Sequence, residues 1–182
     1  MVFIDADDSP GATKNSLNAS TEFLKRAIYL LTSYKIPVDG YLVAWQYYIG
    51  RNVTCNTYAA IWRHDTQSST YIRITETLLL PEDNTKGVKF QFVQNSPILV
   101  KKGDILGIHV DSSDSNCPSI TYRDGGPVLQ IYKDQSVQLT RPSTISSPIN
   151  NPKNRTVPLR AYIAGEWMEC ICQIDHLPQC VE

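Results

Sequence analysis

The sequence predicts an all-β protein: an antiparallel, jelly-roll-like β-sandwich of about eight to ten strands, followed by a short Cys-rich tail. Three observations carry this. Short runs rich in β-branched and aromatic residues recur from residue 40 to residue 163, and clusters of Gly, Pro, Asn, Asp and Ser separate them. Strand starts recur roughly every 8–16 residues, the spacing of a sandwich. Inside the runs polar and apolar residues alternate with a period of two, as they do when one sheet face is wet and the other dry.

Residues 1–20 are polar and Asp-rich and read as a leader. Residues 22–34 fit two templates. Phe23, Ala27, Leu30, Leu31 and Tyr34 lie on one helical stripe, whereas Ala27 to Thr32 reads as a buried strand, and the strand-rich context favours the strand. Strands follow at Gly40–Ile49, Tyr58–His64, Tyr71–Leu80, Val88–Val93, Ile98–Val100, Ile105–Val110, Ile120–Arg123, Val128–Tyr132 and Val157–Ile163. Alternation puts Ile72 and Ile74 on one face, and it assigns Val88, Phe90 and Phe92 to the core side of their strand. Asp124-Gly125-Gly126-Pro127 reads as a turn, and the Pro-rich residues 140–158 as a long surface loop. The domain limits are 1–20 for the leader, 21–167 for the sandwich and 168–182 for the tail, which could open a further module.

Formal net charge is -1 and charged residues are 19% of the 182-residue chain, so no basic footprint for nucleic acid exists. No apolar run reaches the roughly 18–20 residues of a membrane span. The first residues, Met1 to Asp8, are acidic where a secretory signal is basic and then apolar. The chain is therefore either cytosolic or a mature or excised part of a longer one.

The cysteines favour an extracellular or secreted protein, or the ectodomain of a larger one. Cys55 and Cys117 both fall in polar segments beside strands, and a disulfide between them is the economical reading. Cys170, Cys172 and Cys180 cluster in the tail, where one of the first two can pair with Cys180. The rival there is zinc, with His176 as a fourth ligand, although the spacing lacks the usual knuckle. Three sequons, at Asn18, Asn52 and Asn154, lie in polar segments where a glycan would meet water.

Three segments carry a family likeness: Gly40-Tyr41-Leu42-Val43-Ala44-Trp45-Gln46-Tyr47-Tyr48, Ala60-Ile61-Trp62-Arg63, and Pro97 through Lys101-Lys102-Gly103-Asp104 to Gly107. Together, across residues 26–166, they resemble an extracellular β-sandwich domain that recurs in large invertebrate surface and matrix proteins beside small Cys-rich modules. The resemblance implies the fold and the compartment. It supplies no activity, and Asp39 stands where many such domains carry a cysteine.

No catalytic motif is present, and no catalytic residue is expected. His64 and His109 end strands, and the neighbouring Asp65 points to the opposite face from His64. Asp111, Asp114 and Asn116 offer hard oxygen donors for Ca2+, without the spacing of an EF-hand loop, and a solvated turn is the plainer reading. Among the many aromatic residues, Trp45 and Trp62 are expected in the core. Tyr48, Tyr122, Arg123 and Asp124, near strand ends, are the candidates for an exposed ligand site. The expected function is a non-catalytic recognition or adhesion module that binds glycan or extracellular protein through loops at 111–116, 122–126 and 140–156. One alternative is a structural, self-assembling matrix or coat domain, a homo-oligomer such as a cytokine-like or collagen-linked trimer of jelly rolls. Another is a carbohydrate-active hydrolase on a sandwich.

Overall fold

A computed structural model describes residues 3–5, 22–23, 27–50, 56–79, 86–93, 98–111, 120–132, 144–146 and 153–165. These residues form strands and no helix. The first strands are β1 (Phe3–Asp5), β2 (Glu22–Phe23), β3 (Ala27–Lys35), β4 (Gly40–Ile49) and β5 (Thr57–Asp65). Next come β6 (Thr70–Leu78), β7 (Gly87–Phe92), β8 (Ile98–Val100) and β9 (Ile105–Val110). The last are β10 (Thr121–Tyr132), β11 (Thr144–Ser146), β12 (Lys153–Thr156) and β13 (Leu159–Ala164).

All the pairings are antiparallel, in two sheets. A five-stranded sheet runs β1-β13-β4-β7, with β8 also on β4, and an eight-stranded sheet runs β11-β6-β5-β9-β3-β10-β12, with β2 on β10. The chain passes repeatedly from one sheet to the other, as a jelly roll does. The run from Ile98 to Val110 makes one such passage. β8 belongs to the five-stranded sheet and β9 to the eight-stranded one, so the Lys-Lys-Gly-Asp turn is a corner between sheets. Gly103 takes φ 92° there, a conformation that costs a side chain strain and glycine little.

The larger sheet is curled into a half-barrel, and chain reach shows why it must be. β11 and β12 lie at opposite ends of the strand order, yet only residues 147–152 join them. Six spacings in a flat sheet come to about 29 Å. Seven extended steps reach about 25 Å.

The main core lies between the sheets. Trp45, Tyr47, Leu42 and Ile163 from one sheet meet Tyr29, Leu31, Ile61 and Ile108 from the other. Trp45 Nε1 donates to Thr77 Oγ1 across the gap at 3.1 Å, so the indole is buried without losing its hydrogen bond. A second buried cluster, Ile28, Leu30, Ala60, Trp62, Ile105 and Ile145, occupies the other face of the eight-stranded sheet. That explains the near-continuous apolar run of β3, which is covered on both faces. Trp62 lies over Gly107, where a Cβ would sit 2.6 Å from its Nε1.

The strand reading of Ala27 to Thr32 therefore holds, in a strand that continues to Lys35, while other expectations are corrected. Residues 140–158 are not one loop: β11 and β12 fall inside them, and Ile145 is buried. The Gly125-Gly126-Pro127 segment is no separator but part of β10, taken up as a register shift between Asp124 and Val128 against β12. Short β1 extends strand pairing into the expected leader by joining β13. A register shift opposite Ile61/Trp62 splits Ile72 from Ile74: Ile74 packs on the core, whereas Ile72 is exposed. The largest correction concerns β7. Val88, Phe90 and Phe92 face solvent, and Lys89 and Gln91 take the half-buried positions.

Candidate functional site

The expected ligand residues lie on neighbouring strands, and the two whose side chains are described are not exposed. An isolated bridge between Ile49 and Ile120 brings the end of β4 beside the start of β10, and so brings Tyr48 near the strand that carries Tyr122. Both rings are buried, at 6% and 7% exposure, contrary to the expectation of exposure. The Arg155 guanidinium carbon lies 3.7 Å from the Tyr122 ring centroid, which adds a cation–π contact. Arg123 and Asp124 pair through β10 with Thr156 and Arg155, and their side chains are outside the described residues. Asp111 follows β9, where its N–H donates to the Asn56 carbonyl at 3.1 Å. Asp114, Asn116, all five cysteines and Asn18 and Asn52 are outside the described residues, as is the side chain of Asn154. Among the described residues no group of three or more His, Cys, Asp or Glu side chains is placed to hold a metal.

A second constellation was not legible from sequence spacing. Glu76 on β6 lies between Arg73, at 3.1 Å, and His109 Nδ1, at 3.2 Å. The His109 ring reaches over β5 and stacks on Tyr58 at 5.6 Å. A carboxylate that orients a histidine is half of an acid–base device. Here the imidazole is a buried side chain, and among the described residues its Nε2 finds no hydrogen-bond partner. The arrangement ties β9 to β6. His64, the histidine with an acidic neighbour in sequence, packs instead on Tyr71, while Asp65 accepts from Ser68 and Gln67 in the turn. The Ser68 hydroxyl chiefly holds the Asp65 carboxyl below its usual range.

The exposed chemistry lies on the outer face of the five-stranded sheet. Val88, Phe90 and Phe92 of β7 are 45%, 46% and 65% exposed, and Leu99 of β8 is 47% exposed. Register explains the shared face: β4 sets Gln46 opposite Phe90, Ala44 opposite both Phe92 and Tyr162, and Tyr41 opposite Leu99. The short Ala44 side chain leaves room above β4, and Phe90 meets Phe92 and Tyr162 edge-to-face at 5.1 and 5.2 Å. Polar groups here are engaged by one another, since Gln46 Oε1 accepts from Tyr162 Oη at 3.2 Å and from Arg160 at 3.5 Å.

What turns β7 this way round is Gln91. Its Oε1 accepts from the buried Tyr47 hydroxyl at 3.2 Å, and its Nε2 donates to the Leu78 carbonyl at 2.9 Å. One amide thus satisfies both sheets at the sandwich edge. A phenylalanine there would make neither hydrogen bond, each worth about 0.5–1.5 kcal/mol. Alternation in the sequence shows that β7 has an apolar face. It does not say whether that face meets the core or a partner.

Fold and surface together define an all-β antiparallel sandwich with, among the described residues, an exposed aromatic row on one sheet face. No protein-family model, curated protein or solved structure matches the chain.

Proposed function

We propose that this chain is a non-catalytic extracellular adhesion or assembly domain, and that the outer face of its five-stranded sheet docks on a protein surface as apolar and uncharged as itself. The observation that carries this is the row Val88, Phe90, Phe92 and Leu99, open to solvent while the other large apolar side chains among the described residues are mostly buried. Contiguous exposed apolar area of this kind marks a contact surface. The chemistry of the face favours protein over sugar. A sugar site needs amides or carboxylates free to read hydroxyls, and Gln46 is already held by Tyr162 and Arg160. The register places one residue of each sign on this face, Arg160 opposite Gln46 and Asp5 opposite Tyr162, so a strongly acidic or basic partner finds no surplus of opposite charge. The extracellular part of the reading rests on the cysteines and sequons.

The test compares the intact chain with its Phe90→Ser/Phe92→Lys variant, on coats of extracellular matrix proteins and on a glycan array with and without calcium. Adhesion to protein falls at least roughly tenfold in the variant, as for loss of an aromatic anchor, and the array stays silent. Glycan retention that the variant leaves unchanged overturns the proposal and returns the site to the loops.

A further inference from the structure

We infer that the partner seated on this sheet face is a second copy of the same chain. The inference rests on the assignment of the face as a protein-docking surface, and it adds the identity of the occupant.

Charge is the first argument. With a formal net charge of -1, two copies approach with almost no Coulomb repulsion, and a face on which the register places one residue of each sign, Arg160 opposite Gln46 and Asp5 opposite Tyr162, meets its own image without a like-charge cluster. A partner of strong charge would be selected by a surplus of opposite charge, which one residue of each sign does not offer.

Self-complementarity is the second. Phe90 stands edge-to-face with both Phe92 and Tyr162, so the surface presents ring edges and ring faces side by side. Ring edges are positive and ring faces negative, so a rotated copy can set edges against faces. The sheet supplies the matching geometry. Two apolar sheet faces stack at about 10 Å, which is how the two sheets of this chain already pack. Within the described residues β7 pairs with β4 alone, leaving the aromatic stripe at the sheet margin, where a second molecule reaches it without displacing a strand.

The experiment is sedimentation velocity of the full chain, with and without reductant, across roughly 1 to 100 µM, the range that resolves micromolar association. The wild type is expected to associate with rising concentration under both redox conditions, which separates the face from any cysteine cross-link. Phe90→Ser/Phe92→Lys, altered only at exposed positions, is expected to stay monomeric, its dissociation constant weaker by at least about 100-fold. Ile72→Lys, exposed on the other sheet, should associate as wild type does. Near-UV circular dichroism from the buried Trp45 and Trp62 confirms that each variant is folded.

A wild type that is monomeric throughout, or a Phe90→Ser/Phe92→Lys chain that associates as wild type does, overturns the inference. The two readings fail separately. Monomeric wild type with face-dependent adhesion to other proteins removes only the second copy as partner, whereas adhesion indifferent to the face removes both.

Discussion

Asp104 shows how one residue can hold a corner of this fold. Its carboxylate is almost wholly buried, which costs several kcal/mol unless its lone pairs are used. They are used well: Arg63 donates through Nε and Nη2 at 2.8 Å each, and the Lys101 N–H donates at 2.8 Å. The hydrogen bond from Arg63 to Asp104 pushes the guanidinium further up from its ordinary value. Around it, the Gly103 N–H donates to the Ile36 carbonyl, the Ile36 N–H to the Asp104 carbonyl, and the Lys102 N–H to Asp39. Tyr34 illustrates burial of the opposite kind. Desolvation raises the pKa of its hydroxyl, so the folded state favours the neutral phenol. The associated stability is fully present below the unfolded value of about 10 and is lost as pH rises through the folded value. Urea midpoints from pH 8 upward should therefore fall at the alkaline end in wild type, and fall less in Tyr34→Phe. Equal alkaline slopes in the two proteins would contradict this.

The elements show what the sequence could and could not reveal. Period-two patterning located most of the long strands within a residue or two, because a half-buried strand leaves that signature whatever its partner. It did not reveal β1, β2, β11 or β12, each four residues or fewer and too short to display a period. It placed the Phe90 stripe on the wrong face, since the choice depends on Tyr47 and Leu78, 44 and 13 residues away from Gln91. The His109–Glu76 contact was hidden for the same reason, being a product of the β6-β5-β9 order. Tyr48 and Tyr122 were sensible candidates by position, but both are buried, beside the bridge between Ile49 and Ile120.

The same corner supports a covalent expectation. Ile49 bridges Ile120, and the Asp111 N–H bonds the Asn56 carbonyl, so the two segments that carry Cys55 and Cys117 are tied to each other at both ends. A disulfide between them would close a loop of roughly 60 residues, for about 4 kcal/mol of stabilisation on a chain-entropy account. Peptide mapping of secreted, unreduced protein should recover the Cys55–Cys117 cross-link. Alkylation of both thiols in that protein would contradict it.

At the scale of the molecule, the half-barrel and the five-stranded sheet enclose one core, and the half-barrel carries a second on its other face. The outer face of the five-stranded sheet is the apolar surface left over. Placing large rings in water forgoes about 25 cal/mol for each Å2 that could have been buried. An aromatic row there is disfavoured in an isolated monomer and stabilising in an assembly. This makes the location of Phe90 and Phe92 the point on which the whole account turns. Hydroxyl-radical footprinting of the intact chain, dilute and concentrated, reads it residue by residue. Phe90 and Phe92 are expected to oxidise readily when dilute and to be protected when concentrated, with Trp45 and Trp62 unreactive in both. Phenylalanines as unreactive as those tryptophans in dilute solution would mean that β7 faces the core, and would contradict this expectation.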